Sequence, residues 1–362
     1  MMISEGGCRI LCEEGVFYNP RMEINRDLLS AAISVTGAKS FCDGHSATGI
    51  KAIRAVCESS VESADAVDLS KKAIALIRRN IALNNLEGKI NVVNDDVRFV
   101  LMRHNYDFVE IDPFGTPAPY FDALADSFSW RKRGHFSVTA TDTAVLCGAE
   151  SKACRRVYGS IPFHKEFVHE SGIRILISRI QSIFAGRNIA VIPQLSISHR
   201  HYIKIFFEVR KSAVLCDESL SKSKMLAYCE KCLHRKYFKA GESAICDFCG
   251  AKMQVAGPFW AGLLHDTAFV DKMIHTIEKR EYRSSEEELN LLNAIKSENF
   301  EGFCYELHTL FRGKHIPKTE KVLGALRDSG FKASPTVYKN WIIRTTATAK
   351  EIVEAIENVK PL

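Results

Sequence analysis

The sequence predicts a doubly wound α/β fold on a mostly parallel sheet, and three observations predict it. Short apolar runs alternate with helical stretches through the first half of the chain, the pattern of βαβ units. Four of these runs stop on acids, at Asp43, Asp68, Asp95-Asp96 and Asp112, which puts carboxylates at strand carboxyl ends, where open α/β sheets bind ligands. Two later runs, 189–197 and 202–210, joined by Ser198-His199-Arg200-His201, read as an antiparallel hairpin at one edge of the sheet.

In chain order, residues 16–30 begin with the aromatic pair Phe17-Tyr18 and an Asn19-Pro20 turn, then enter a helix near Arg26. A first strand at 39–43 leads into Gly44-His45-Ser46-Ala47-Thr48-Gly49 and a helix over 48–58. Ile50 follows Gly49, so the Gly-Lys-Ser/Thr of a triphosphate loop is missing, and so is G-x-G-x-x-G. Asp43 and the two glycines still let a ligand lie close over the strand end, which suits a nucleoside cofactor without phosphates. The second strand, 64–68, ends at Asp68, near the ~20-residue offset from the glycine loop that sets a carboxylate on ribose hydroxyls. A helix over 70–83 and a third strand over 90–93 bring the chain to Asn94-Asp95-Asp96. An acid there accepts from an adenine amino group and the Val97 amide donates to a ring nitrogen, while either aspartate equally caps the helix that starts at Val97.

Phe108, Val109 and Ile111 form a buried strand that must stop at Asp112, because Pro113 has no N–H for a ladder. The Asp112 carboxylate, the fixed Pro113 carbonyl and the flat face of Phe114 together suit a planar ring with an exocyclic amine; the plainer alternative is a strand followed by an Asp-Pro turn. A fifth strand at 136–140 and a helix over 167–184 precede the edge hairpin.

Beyond Arg210, residues 211–225 are polar and Ser/Lys-rich and read as a linker. Cys229-x-x-Cys232 and Cys246-x-x-Cys249 are spaced to hold one tetrahedral Zn²⁺ with no open position, hence a structural ion. Between them, His234-Arg235-Lys236-Tyr237-Phe238-Lys239 mixes cations and aromatics in the manner of an RNA contact. Helices are expected at 286–295, 305–311 and 319–329, a short hairpin from 337–338 and 341–344, and a last helix over 349–359, together winged-helix-like. The expected division is a ligand-binding α/β domain at 1–212, a linker and zinc region at 213–270 and a binding or bracing domain at 271–362.

The chain has 362 residues, 46% hydrophobic and 25% charged, enough for two or three domains with cores of their own. A net charge of +6 favours a polyanionic partner without requiring one. Twelve cysteines without a secretory signal, and no apolar run of membrane length, point to reduced thiols or a metal in a cytoplasmic protein, with no membrane and no obligate protein partner evident.

Acids at successive strand ends over a phosphate-free loop describe a class I S-adenosylmethionine-dependent methyltransferase better than a dehydrogenase. Phe17-Tyr18-Asn19-Pro20-Arg21-Met22, Asn25-Arg26-Asp27-Leu28, Ser46-Ala47-Thr48-Gly49-Ile50, Asp112-Pro113-Phe114-Gly115, Thr139-Ala140-Thr141-Asp142 with Leu146-Cys147-Gly148, and Gly257-Pro258-Phe259-Trp260 resemble the tRNA (guanine-26, N2)-dimethyltransferase family. These matches run in order from about residue 16 to residue 264. The resemblance implies that Phe17, Arg26 and Arg54 contact or enclose the cofactor, that Asp68 holds its ribose, and that Asp96 and Val97 bind its adenine. It implies that Asp112, Pro113 and Phe114 hold the target guanine of a tRNA. The chain departs from the family at Lys51, where arginine is usual, at His45, where an apolar residue is usual, and at Thr116, where serine is. Whether Lys51 or Arg54 meets the cofactor is left open. An adenine-N6 methyltransferase of RNA or DNA and a non-catalytic RNA-binding zinc protein are the alternatives.

Overall fold

The computed structural model describes residues 1–357 except Ala240 and Lys314. Its centre is a seven-stranded sheet: β1 Ser40–Asp43, β2 Ser63–Val67, β3 Ile90–Val93, β4 Phe108–Ile111, β5 Arg133–Ala140, β6 Ile189–His199 and β7 Tyr202–Lys211. They lie in the order β3-β2-β1-β4-β5-β7-β6. β1 to β5 pair in parallel, and β7 runs antiparallel to both β5 and β6. The order reverses between β1 and β4, so a crevice opens at the ends of those two strands. This is the doubly wound sheet with an antiparallel edge hairpin that the alternating pattern predicts.

Side-chain alternation along the strands sorts the two faces. Phe41, Ala64, Ala66, Phe108 and Phe206 face helices α1 (Glu23–Thr36) and α2 (Ile50–Glu58), with helix Thr267–Glu278 closing that layer. Val109, Ile111, Phe136, Val138 and Phe207 face the opposite layer, which includes α4 (Val97–Arg103) and the long helix Val168–Ala185. Between α2 and α4 in sequence comes α3 (Lys71–Leu83), capped by the Ser70 hydroxyl, which accepts from the Ala73 N–H. No helix among the described residues is long and apolar enough to cross a membrane.

Several sequence expectations are corrected. Met2–Glu5 and Cys8–Leu11 pair as an amino-terminal hairpin that four-residue strands do not announce. Residues 211–225 are not a linker: Ser212 caps helix Ala213–Ser221, which buries Cys216, and strand Ser223–Tyr228 follows directly. Residues 305–311 are not one helix, because Phe303–Glu306 is a strand that buries Cys304 and Tyr305 before a single turn over Leu307–Leu310. The carboxyl-terminal hairpin uses Ala333–Pro335, with Ala333 opposite Thr345, and residues 337–338 fall in the bend beyond it.

Ile342–Thr345 is the middle strand of that small sheet, with Phe303–Glu306 on its other side. Helix Ser285–Ser297, a strand, two helices and two strands therefore follow one another in the order of a winged-helix module. The last helix is described over Ala349–Glu357, and its expected end at Val359 lies outside the described residues. Buried ion pairs lock this module, and the three-stranded ribbon of Ser223–Tyr228, Arg235–Phe238 and Gln254–Trp260, to the chain around helix Val168–Ala185: Arg344 of the module meets Glu170 at 3.1 Å, and Arg235 of the ribbon meets Glu166 at 2.6 Å. Arg235 is buried and also donates to the Cys304 carbonyl, so it braces the ribbon and is no RNA contact.

Candidate active site

A cavity of about 250 Å³ opens at the β1/β4 switch point, and its walls come from every segment the acids marked. Phe17 and Arg26 line it from the amino-terminal side, Asp68 from the end of β2, Asp96 and Val97 from the start of α4, and Asp112, Pro113 and Phe114 from the end of β4. Asp43 and Arg54 do not line it.

The loop after β4 is built to present its residues. Gly115 has φ +81°, a left-handed turn that an ordinary side chain would strain. Its N–H donates to Thr141 Oγ1 at 2.8 Å, and its carbonyl accepts from the Thr141 N–H at 2.9 Å. Thr116 and Tyr158 hydroxyls meet at 2.7 Å, and Tyr158 donates on to Asp142. With the turn tied to β5 on both sides, Phe114 projects outward, 76% exposed, and Phe17 meets it edge to face at 4.9 Å. Two exposed aromatics at one cavity mouth leave an apolar slot for a flat ring.

Asp112 faces Lys51, whose Nζ lies 3.1 Å from its Oδ2 and 3.2 Å from Asp43 Oδ1. Burial alone would raise the Asp112 pKa; the Lys51 ammonium, and then that of Lys204, outweigh it and hold the carboxyl below the usual aspartate range. Asp43 has no exposed surface, and burial raises its carboxyl against the same lysine. Its contribution is thus to fix Lys51 from beneath. Lys51, not Arg54, is the cation at the cavity. Arg54 is 1% exposed and spent on Glu5 at 3.0 Å, Asp27 at 2.6 Å and Glu58 at 2.7 Å. Helical spacing explains the swap, since positions 51 and 54 lie near one face and only the tertiary fold decides which reaches the opening.

At the other end, Asp68 accepts from the N–H groups of Ala47 and Ser70, both at 2.8 Å, which aims the carboxylate over the glycine loop. Asp96 caps α4 by accepting from the Arg98 N–H at 2.9 Å and also pairs with the Arg98 guanidinium. Those hydrogen bonds hold its carboxyl below the ordinary range. Val97 is the first residue of α4, so its N–H has no acceptor within the helix, and the residue lines the cavity. Asp95 lines the cavity as well and pairs with Arg103 at 3.0 Å. Gly44 allows the loop to lie against α4 and β4: a Cβ there would meet Val97 Cγ2 at 2.8 Å and the Glu110 carbonyl at 3.0 Å.

Arg26 joins the wall through a partner on the unforeseen hairpin. Glu5 takes its guanidinium in two bonds of 2.7 and 2.6 Å and accepts from the Tyr18 hydroxyl at 2.8 Å, so the hairpin sets the amino-terminal side of the cavity. Other lining residues carried no motif of their own. Tyr120 sits on a turn beyond the β4 loop and packs edge-on against His45 at 4.8 Å. Asn25 is buried on the wall with its amide unpartnered among the described residues, and so is His45 Nδ1, whose burial and the nearby Lys51 push the imidazole down to about 4. Unpartnered buried polar atoms in a cavity wall are what a polar ligand completes. Among the described residues no cluster of cations lines the cavity to cradle a pyrophosphate, and its four carboxylates, Asp68, Asp95, Asp96 and Asp112, outnumber the cations Arg26 and Lys51.

A second constellation lies apart. The sulfurs of Cys229, Cys232, Cys246 and Cys249 all fall within 4.8 Å of one another, on turns of the three-stranded ribbon formed by Ser223–Tyr228, Arg235–Phe238 and Gln254–Trp260. Four thiols converging this closely match the ligand set of a tetrahedral thiolate site.

Known proteins resemble the chain along its whole described length. The family model for N2,N2-dimethylguanosine tRNA methyltransferases matches residues 2–357. A tRNA (guanine(26)-N(2))-dimethyltransferase of Methanothermobacter thermautotrophicus is 35% identical over 359 residues, 96% of this chain and 93% of that protein. A tRNA (guanine(26)-N(2)/guanine(27)-N(2))-dimethyltransferase of Aquifex aeolicus is 35% identical over 366 residues, 95% of this chain and 90% of that one. The solved structure of Trm1 from Pyrococcus horikoshii with S-adenosyl-L-methionine superposes with a TM-score of 0.90 at 30% identity, covering 98% of this chain and 99% of that chain.

Proposed function

The chain belongs to the N2,N2-dimethylguanosine tRNA methyltransferase family, and we propose how its own residues carry out the reaction. It is an S-adenosylmethionine-dependent tRNA (guanine-N2) methyltransferase, with guanine 26 the expected target. The observation that carries the residue assignment is one cavity joining Asp68 and Asp96 at one end to Asp112, Pro113 and Phe114 at the other. The first end suits a nucleoside: Asp68 accepts from ribose hydroxyls, Asp96 from the adenine amino group, and the Val97 N–H donates to the ring. The acids, the orphaned His45 and Asn25 atoms and the tight Gly44 loop fit S-adenosylmethionine, which supplies an electrophilic methyl on a sulfonium and has no pyrophosphate to hold.

At the second end, guanine N2 is a poor nucleophile because its lone pair is delocalised into the ring. The Asp112 carboxylate and the Pro113 carbonyl accept its two N–H bonds, which localises the pair and orients it toward the donor. Because Lys51 keeps Asp112 ionised, the carboxylate faces the positive charge that grows on nitrogen, and it takes the proton late. Phe114 stacks on the base, which must leave its helical context at a cost of a few kcal/mol. Adding a second methyl requires the singly methylated amine to rotate and offer its remaining N–H to the same acceptors.

The four cysteines hold a structural Zn²⁺ that fixes the ribbon, and the carboxyl-terminal module grips tRNA or braces the catalytic region. A cytoplasmic location, where tRNA is available, goes with this reading. Incubation with labelled S-adenosylmethionine and unmodified tRNA transcripts, followed by nucleoside analysis, tests the reading. N2-methylated guanosine mapped to position 26 is expected, while methylated adenosine would refute the target assignment. Transcripts with guanine at 26, 27 or both separate one modified position from two.

A further inference from the structure

Five ionisable side chains form a buried stripe across the α1/α2 face of the sheet. Asp43 ends β1, Lys51 stands in the first turn of α2, Glu110 and Asp112 share a face at alternate positions at the end of β4, and Lys204 comes from β7. Lys51 joins Asp43 to Asp112. Lys204 Nζ lies 2.6 Å from Glu110 Oε1 and 3.3 Å from Thr139 Oγ1, and the Ser137 hydroxyl donates to Glu110 Oε2. Asp43, Glu110 and Lys204 have no exposed surface.

Three carboxyls thus face two ammoniums. Among the described residues, the surrounding groups do not supply a third cation. His45, on the loop after β1, is neutral, and Tyr202, on β7, has its phenol pushed up by burial. Arg26, on α1, is matched by Glu5, and Asp96, at α4, by Arg98. We propose that this stripe, with one carboxyl more than it has ammoniums, takes on its excess negative charge only when a cation enters the cavity, with Glu110 as its specificity-determining residue, so that the site distinguishes a cationic sulfonium donor from its neutral thioether product. An uncompensated buried carboxylate is costly, so without a cation the stripe keeps a proton. Burial does raise both Glu110 and Asp43, in keeping with that. A positive sulfur entering the cavity replaces the proton; a thioether cannot. Glu110 does not line the cavity and acts through Lys204 and Asp112. The inference rests on the reading that S-adenosylmethionine occupies the cavity.

Calorimetric titration with S-adenosylmethionine and with S-adenosylhomocysteine, in two buffers of different ionisation enthalpy, counts the protons. At about pH 6.5 the amino group common to both ligands stays protonated. Wild type should release protons on binding the sulfonium and not on binding the thioether. Glu110→Gln leaves two ammoniums against two carboxyls and should weaken the sulfonium about tenfold while the thioether changes less than about twofold. Adding Lys204→Met to Glu110→Gln restores the wild-type net charge and should restore the ratio of the two affinities. Equal proton counts for both ligands in wild type, or a Glu110→Gln protein that loses both affinities alike, would overturn the proposal. If the variants do not fold, the wild-type proton counts decide alone. If neither ligand binds wild type, the cofactor reading falls and this inference falls with it.

Discussion

The Lys51 ammonium lies 3.1 Å from the Asp112 carboxylate, and that contact lets a largely buried acid stay charged in the cavity wall. Lys51→Met leaves burial unopposed by its nearest cation, so the Asp112 pKa should rise. Wild-type kcat should be flat across roughly pH 5 to 8, since a carboxyl held below its ordinary range is ionised throughout. The variant should show an acid limb within that window and recover partly as the pH rises. The kcat profile of both proteins checks this.

Arg54 is predicted to matter for stability and not for cofactor contact. Its guanidinium serves Glu5, Asp27 and Glu58 in the interior, and removing one partner of such a network typically costs about 3–5 kcal/mol. Thermal unfolding of Arg54→Met should show a Tm many degrees lower. Below that Tm, the Kd for S-adenosylmethionine should stay within about threefold of wild type, about 0.7 kcal/mol.

Glu288, on helix Ser285–Ser297, lies beside Asp27 on α1: burial first, and then the Asp27 carboxyl, raise its pKa far above the ordinary range. Folding therefore takes up a proton that the unfolded carboxyl does not hold. That contribution is fully present below the unfolded pKa of ~4.3 and is lost as the pH rises toward the raised folded value. Glu288→Gln keeps a hydrogen-bonding group without the titration. Its Tm should exceed that of wild type at about pH 8.5, with the difference shrinking as the pH falls toward 4.5. Melting curves across that range measure it.

The cysteine cluster should bind one zinc per chain. Cys232→Ser or a strong chelator should remove the metal, measured by elemental analysis, and lower Tm, because structural zinc binding contributes directly to folding. Calorimetric cofactor binding should persist, since no cysteine of the cluster lines the cavity.

Much of the site was legible because it sits at strand ends that announce themselves. Pro113 ends β4, so Asp112 had to stand at a carboxyl edge, and Asp68 and the Asp95-Asp96 pair follow from the same logic at β2 and β3. What stayed hidden depends on contacts between distant segments. Nothing local distinguishes Lys51 from Arg54 on α2, and the choice is made by Glu5 and Asp27, which claim Arg54. Arg235 looked like a surface cation in a basic run, yet Glu166 lies 69 residues upstream and buries it. Tyr305 and Glu306 read as the start of a helix in the sequence because a short apolar run carries no period of its own; the pairing of strand Phe303–Glu306 with Ile342–Thr345 decides.

In the proposed mechanism Asp112 accepts from guanine N2, and Asp112→Asn probes that role. The variant keeps the shape and a carbonyl oxygen but loses the charge opposite the developing cation. Methyl transfer to tRNA transcripts under single-turnover conditions should fall by about 10² or more, as for a lost oriented electrostatic group, while calorimetric affinity for the cofactor stays near wild type. A variant that transfers methyl groups to guanine at close to the wild-type rate would contradict the account.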